Sequence, residues 1–199
     1  MLTAIPAARV VGGIAYAAAE RSAPNVIHHI EGDRFPVGEL NGAKSDRSTA
    51  IAHALSSAGF KSRVLSDIRS HVWLKAWGNL AFNPISALTG STLGQICADP
   101  STRQLAADMM HEAAAIAAAL DVPVPVSVEQ RIKGAEAIGE HRTSMLQDRD
   151  EGRSMEVAAL IGAFVELARL TGVATPAIDA VFALINQLNE QLANERPRV

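Results

Sequence analysis

The spacing of hydrophobic and polar positions changes near residue 67, and the two parts of the chain predict different structures. Before residue 67, short runs rich in β-branched and aromatic residues predict strands. Gly32-Asp33 lies between the second and third runs and predicts a hairpin turn there. The predicted strands cover residues 9–17, 25–30, 34–40 and 60–65.

One helix is predicted within this first part, over residues 48–58, because Gly59 suits the position just past a helix end. A segment of about 65 residues with a few short strands makes a poor independent domain. We therefore expect residues 1–66 to be the last part of a larger α/β domain.

After residue 67 nearly every segment has helical periodicity. Asp99-Pro100 and the pair Ser127 and Gln130 are typical helix starts, and Gly172 is a typical helix stop. Pro84 is expected to end or kink the first helix. The predicted helices cover residues 67–82, 99–120, a segment from 127, 153–170 and 176–194. The expected fold is mainly α, a bundle of five or six helices over residues 67–199.

Composition and charge narrow the classes of partner. With 48% hydrophobic and 4% aromatic residues, the chain favours closely packed helices over a β-sandwich. A net charge of −3 gives no electrostatic reason to expect nucleic acid or a membrane surface as partner. Cys97 is the only cysteine, which excludes an internal disulfide and a cysteine-rich metal site. We expect a cytoplasmic protein without a metal.

The most informative polar residues are Lys75, Asn79 and Asn83, which are spaced by four and share one face of a predicted helix. The remaining faces of this helix are apolar, so the polar face is buried or lines a cleft. A bound substrate could supply the partners that these groups need. Alternatively, Lys75 reaches water along its aliphatic stem and the asparagines cap a break at Pro84.

A second candidate segment follows His141. Ser144 is expected in a loop between two helices, where its hydroxyl could bind a carboxylate, and Glu156 is expected in the first turn of the next helix. A solvated loop and an ordinary acidic helix start explain the same residues. The histidines have no metal-ligand spacing. The sequence contains no Gly-x-Gly-x-x-Gly, the motif that cradles a dinucleotide pyrophosphate.

Two motifs carry a family resemblance. Residues 73–84, Trp-Leu-Lys-Ala-Trp-Gly-Asn-Leu-Ala-Phe-Asn-Pro, closely resemble the ketopantoate reductase pattern Trp-x-Lys-x-x-x-Asn-x-x-x-Asn-Pro. Residues 144–148, Ser-Met-Leu-Gln-Asp, with Glu156 twelve positions after Ser144, resemble the second family pattern. Residues 11–39 are similar to the end of the nucleotide-binding domain of that family.

The resemblance implies NADPH-dependent reduction of ketopantoate to pantoate, on the route to pantothenate and coenzyme A. It implies that Lys75 is the general acid and also binds substrate, with Asn79, Asn83 and Ser144 holding substrate hydroxyl and carboxylate groups. Glu156 and Ala18 match positions near the cofactor. Leu93 stands where some members use an asparagine, so another branched 2-keto acid remains open as the substrate.

The resemblance also implies an architecture. Residues 1–66 would be the remnant of a Rossmann-type dinucleotide-binding domain. Residues 67–199 would be a helical substrate-binding and dimerisation domain like the carboxy-terminal domain of 6-phosphogluconate dehydrogenases. Without the glycine motif, we expect this chain alone to bind NADP weakly or not at all and to be inactive. A homodimer is the expected assembly.

Two other functions stay open at this point. A related 2-hydroxy-acid or opine-type dehydrogenase would keep the two-domain plan with different acid-binding residues. A helical dimerisation module that has lost catalysis would form a stable oligomer without affinity for a nicotinamide cofactor.

Overall fold

The computed structural model describes residues 5–195 of the chain, without the side chains of Glu20, Arg21 and Glu195. These residues form two compact units, the first ending at Val72 and the second beginning at Trp73. The first unit holds all the described strands, and the second is entirely helical in its regular elements.

The first unit contains two separate two-stranded antiparallel sheets. Strand β1 (Val11–Gly13) pairs with β4 (Val37–Glu39), and β2 (Tyr16–Ala23) pairs with β3 (Val26–Arg34). The expected strand over residues 60–65 is reduced to two isolated parallel bridges, in which Lys61 faces Arg34 and Val64 faces Val37. Helix α1 (Asp46–Ser57) follows β4.

The predicted hairpin turn at Gly32-Asp33 is wrong, because both residues lie within β3. The hairpin joins β2 to β3 at Pro24 and Asn25, and Asn25 has a φ of 64°. A proline followed by an asparagine of positive φ is the sequence of a type II turn. Gly32 has a φ of +81° and instead faces an irregularity in the register of the hairpin between Tyr16 and Ala18.

A buried carboxylate joins β4 to α1. The Glu39 side chain accepts a hydrogen bond from Arg47 Nε at 2.7 Å and another from the Ser45 hydroxyl at 2.5 Å. Ser45 also caps α1 by accepting a bond from the Ser48 amide at 3.1 Å. Hydrogen bonds from Arg47 and Ser45 to this carboxylate lower the pKa of Glu39 to about 2. The Arg47 guanidinium has the larger effect and the Ser45 hydroxyl the next largest.

The second unit is an assembly of helices, and its first helix starts in the first unit. A π-helical turn, Ala158–Gly162, leads directly into the helix that begins at Ala163, α7. The helices are α2 (Ile68–Thr89), α3 (Leu93–Ala98), α4 (Pro100–Ala119), α5 (Val128–Glu136), α6 (Ser144–Asp150), α7 (Ala163–Thr171) and α8 (Pro176–Glu195). The mainly helical fold expected from the sequence is confirmed.

Of the two outcomes expected at Pro84, an end of the helix is wrong, because α2 continues through the proline. Pro84 has no N–H to donate to the carbonyl of Leu80, which costs about 3 kcal/mol in an ordinary helix interior. Residues 80–87 are all buried. The packing of this stretch on every side offsets the missing hydrogen bond, because tertiary burial overrides local propensity.

The helix starts expected at Asp99-Pro100 and Ser127 are confirmed. Asp99 accepts from the Thr102 amide at 2.8 Å, and Ser127 with Gln130 forms a reciprocal capping box. Helix α3 was not predicted, although Thr92 and Gln95 form the same kind of box at its start.

The core of the second unit surrounds α2. Trp77 is 1% exposed and donates from Nε1 to the carbonyl oxygen of Met110 on α4 at 2.7 Å. Trp73 packs edge-to-face on Phe164 of α7, with ring centroids 5.1 Å apart. These contacts make α2 the central element of the unit, with α4 and α7 packed on it.

The start of α8 is held by a residue on α4. The Glu112 carboxylate accepts hydrogen bonds from the amides of Ala177 and Ile178, at 2.8 and 2.9 Å. These amides lie in the first turn of α8, where the backbone donors have no partner within the helix. Within residues 5–195, no helix combines the length and the apolar character needed to cross a bilayer.

Candidate functional site

The three polar residues predicted on one face of a helix lie together on α2. Lys75 and Asn79 are half-buried, whereas Asn83 is 6% exposed. Successive members are four residues apart, so their side chains follow one another along the helix with roughly 5–6 Å between Cβ atoms. We call Lys75, Asn79 and Asn83 the α2 polar face. This face therefore runs from partly exposed positions at Lys75 and Asn79 to a buried position at Asn83.

Burial changes the acidity of Lys75. Partial removal from water disfavours the charged ammonium form and lowers the pKa of Lys75 below its ordinary value. A lysine whose pKa falls gives up its proton more readily, which is the property required of a proton donor near neutral pH.

The two asparagines have hydrogen-bonding capacity to spare. Among residues 5–195, neither the Asn79 nor the Asn83 carboxamide forms a side-chain hydrogen bond to another residue. Each carboxamide offers two donors and one acceptor oxygen. A buried carboxamide such as that of Asn83 is costly without partners, so a bound ligand with hydroxyl or carboxylate groups would satisfy it.

Ser144 lies in the first turn of α6, and the expectation of a loop at this position is wrong. Thr143 starts the helix by accepting a hydrogen bond from the Leu146 amide at 3.2 Å. Further along α6, Arg149 donates to the Ala87 carbonyl of α2 at 2.6 Å. Ser144 is exposed, on an element that is anchored to the carboxy-terminal half of α2.

Glu156 is exposed and immediately precedes the helical segment that begins at Val157, instead of lying within its first turn. Its carbonyl oxygen accepts from the Leu160 amide at 3.0 Å, at the entrance to the π-helical turn. The preceding amide, that of Met155, donates to Asn189 Oδ1 on α8 at 2.9 Å. Turns of this type are frequent at functional sites.

Ala18, the other residue predicted near a cofactor, belongs to the first unit. It lies half-buried on β2, opposite Glu31 on β3. The role of Ala18 stays a prediction.

The sequence did not indicate two contacts that the structure adds to this region. Arg131 on α5 lays its guanidinium against Gly78, inside α2, and Asn189 holds the backbone in front of Glu156. A glycine in the interior of a helix signals close approach of another group. The partner of Gly78, 53 positions further along, had no signal of its own.

A cavity of about 730 Å³ opens within the first unit. Its basic lining residues are Arg34, Lys61, Arg63 and His71. Two of them already have partners, since Arg34 lies 4.9 Å from the centre of the Tyr16 ring and Lys61 is 2.8 Å from Asp33. None of the residues predicted for the site lines this cavity.

Comparison with known proteins identifies the family of the chain. The family described as "Ketopantoate reductase PanE/ApbA C terminal" matches residues 67–189, which contain the α2 polar face, Ser144 and Glu156. The chain belongs to the ketopantoate reductase family.

Individual relatives of known sequence or structure also belong to this family. The chain is 54% identical over 180 residues to the 2-dehydropantoate 2-reductase of Mesorhizobium japonicum, covering 90% of this chain and 55% of that enzyme. It resembles the crystal structure of the Methylococcus capsulatus 2-dehydropantoate 2-reductase, with a TM-score of 0.86 and 30% identity over 99% of this chain and 67% of the other. It also resembles the crystal structure of a Ralstonia solanacearum protein assigned to the ketopantoate reductases. The TM-score is 0.88 and the sequence identity is 33%, over 96% of this chain and 58% of the other.

The chain thus spans little more than half the length of the curated relatives that it matches, 55% and 58% for the first two.

Proposed function

We propose that this chain is the substrate-binding and proton-donating part of an NADPH-dependent 2-dehydropantoate 2-reductase, which reduces ketopantoate to pantoate. The observation that carries the proposal is the α2 polar face. A half-buried lysine of lowered pKa lies beside two carboxamides that have free hydrogen-bonding capacity.

Reduction of a ketone requires a hydride at the carbonyl carbon and a proton at the oxygen. NADPH, bound in a complete enzyme, would supply the hydride. The Lys75 ammonium would donate a hydrogen bond to the ketone oxygen and then transfer its proton as negative charge develops there. Half-burial strengthens this interaction, because charges attract more strongly where less water surrounds them.

The other residues of the site would hold the substrate. Asn79 and Asn83 would bond to its hydroxyl and carboxylate oxygens, and the exposed Ser144 hydroxyl would donate to the carboxylate. Glu156 and Ala18 would lie near the cofactor.

The sequence itself does not fit the dinucleotide. It lacks the glycine motif whose backbone amides bind a pyrophosphate.

The residue at position 93 bears on which keto acid the site accepts. Leu93, at the position where some family members use an asparagine, is 7% exposed and belongs to the core. This favours, as an alternative, a related reductase for another branched 2-keto acid. A D-mandelate dehydrogenase in complex with NADH shares the fold, with a TM-score of 0.86 at 22% identity.

The direct test is a chimera in which the amino-terminal part of the Mesorhizobium japonicum reductase precedes this chain. We expect NADPH-dependent reduction of ketopantoate, followed by NADPH absorbance, with a kcat/KM above that for straight-chain 2-keto acids and above that with NADH. A folded chimera that binds NADPH but reduces no 2-keto acid would exclude the proposed function.

The 199-residue chain by itself should bind NADPH more weakly than the micromolar range, because the phosphate-binding loop is not in its sequence. Isothermal titration calorimetry of the chain with NADPH checks this, with the chimera as the positive control. Binding of the chain at micromolar or lower Kd would contradict the prediction.

The chain should also form a homodimer. Three apolar residues of β3 are more than half exposed, namely Val26, Ile27 and Ile30, and apolar surface of this kind favours association. The Staphylococcus aureus ketopantoate reductase, which shares the fold, is dimeric. Light scattering should give twice the chain mass of 21.0 kDa, whereas 21.0 kDa across a concentration series would count against association.

The proposal includes a cytoplasmic location, which fractionation of the source cells would test.

A further inference from the structure

A second cation lies beside the α2 polar face. A Cβ atom placed on Gly78 would overlap Arg131 Nη2 and would lie 2.7 Å from Cζ and 3.0 Å from Nε. The guanidinium of Arg131 therefore occupies the space that any side chain at position 78 would need. Glycine is unfavourable in a helix interior, and Gly78 is fully within α2. The absence of a side chain here makes room for the arginine.

The position of the guanidinium relates it to Lys75. Gly78 follows Lys75 by three residues, so the two positions are neighbours on the helix surface, roughly 5–6 Å apart at Cβ. Asn79 is the next residue along the chain. Arg131 Cζ also lies 6.0 Å from the centre of the Phe82 ring, and Phe82 is 2% exposed. The guanidinium thus rests with one side against apolar core, at a helix position that neighbours the position of the proposed proton donor.

The chemistry of a 2-keto acid suits two cations that reach one helix face from neighbouring positions, a lysine at position 75 and a guanidinium at position 78. Its ketone oxygen and its carboxylate are on adjacent carbons, so their oxygens are separated by roughly 3 Å. With a hydrogen bond of about 2.9 Å to each of these oxygens, the acid can bridge two donor groups that are about 5–6 Å apart or more. A planar guanidinium binds a carboxylate through two parallel N–H groups, which a lysine cannot do.

We propose that Arg131 binds the carboxylate of the 2-keto acid and orients its ketone oxygen toward Lys75. This inference rests on the proposed function and adds a specificity-determining residue to it. Arg131 selects acids over their neutral esters and amides, whereas Lys75 recognises the ketone. Gly78 takes part by leaving the guanidinium room to approach α2.

The test measures ligand binding to the 199-residue chain. The chain is titrated with 3-methyl-2-oxobutanoate and, separately, with its methyl ester, and binding is observed by NMR. The wild-type chain should bind the acid about 10- to 100-fold more tightly than the ester, as for a charge-assisted bidentate contact. Arg131→Gln should remove most of this preference. Gly78→Ala should reduce it as well, because the added methyl group displaces the guanidinium without changing the charge.

Lys133→Gln is the matched control, since it removes one positive charge from an exposed position on the same helix. It should keep the preference for the acid, and circular dichroism should show that all variants remain helical. Arg131→Lys should recover part of the preference, because charge is restored without the planar fork. A folded Arg131→Gln chain that prefers the acid as strongly as wild type overturns the proposal.

Equal binding of acid and ester by the wild-type chain, or no binding of the acid, also overturns it. Failure of the proposed function gives a different result. Arg131-dependent preference for the acid would then persist in the chain, while the chimera would bind NADPH and reduce no 2-keto acid.

Discussion

Replacing Lys75 by alanine in the chimera should lower kcat by about 10²- to 10⁴-fold, the range typical of a lost general acid. A proton donor acts mainly in the transition state, so kcat and kcat/KM should fall together, while the Kd for NADPH changes little. Steady-state kinetics with ketopantoate, together with calorimetric titration of NADPH, measures both quantities.

The pH dependence of the parent chimera gives a second readout of the same residue. A general acid must be protonated, so kcat should fall as the pH rises through the pKa of Lys75. Burial lowers that pKa, and the fall should therefore begin at a lower pH than for an ordinary lysine. Lys75→Ala should lose this alkaline limb.

Lys133→Ala, at an exposed lysine, serves as the control and should leave kcat unchanged. Asn79→Ala and Asn83→Ala should act mostly by raising KM. If Lys75→Ala melts normally and keeps kcat within a few-fold of the parent, Lys75 is not the proton donor and the proposed site is wrong.

The largest loss of stability is expected for Trp77→Ala, about 3–5 kcal/mol in the free energy of unfolding. Trp77 is 1% exposed, lies at the centre of the core and bonds through Nε1 to the Met110 carbonyl of α4. Alanine would leave a large cavity between α2 and α4. Chemical denaturation followed by the helical circular dichroism signal measures the change.

Leu170→Ala is the matched control, because Leu170 is 75% exposed and its truncation should change stability by less than about 0.5 kcal/mol. Trp77→Phe should fall between the two, since it keeps an aromatic ring and loses the hydrogen bond. A Trp77→Ala chain within about 1 kcal/mol of wild type would mean that α2 is not the centre of the core.

Local signals in the sequence predicted most of the helical unit. Capping residues such as Asp99 and Ser127 act within one turn of the chain, so they are visible in the sequence and the structure uses them. Pro84 misled the prediction, because burial of the surrounding stretch outweighs the local cost of the proline. In the first unit, the sequence predicts the turn at Gly32-Asp33, whereas Pro24-Asn25 forms it. Both Gly32 and Asn25 adopt a positive φ, so this local signal does not distinguish the two positions.

The candidate site was predictable from residue spacing only where it lies on one helix. The spacing of Lys75, Asn79 and Asn83 fixes their common face without any tertiary information. Arg131 and Asn189 act through contacts with residues far away in the sequence, and no periodicity relates them to those partners. Gly78 was the one local clue, because an interior glycine in a buried helix indicates that another group approaches the backbone.

The hydrogen bonds from the first turn of α8 to Glu112 make the exchange of two amide protons depend on the separation of α4 from α8. This contact joins residues 65 and 66 positions apart, so it can form only after the intervening chain has closed into a loop, with the entropy cost of that closure. The amide protons of Ala177 and Ile178 can exchange with solvent only when α4 and α8 separate. First-turn amides of a helix normally exchange early, yet these two would exchange with the slowest protons of the core. Their exchange rates would report whether the fourth and the last helix are still joined.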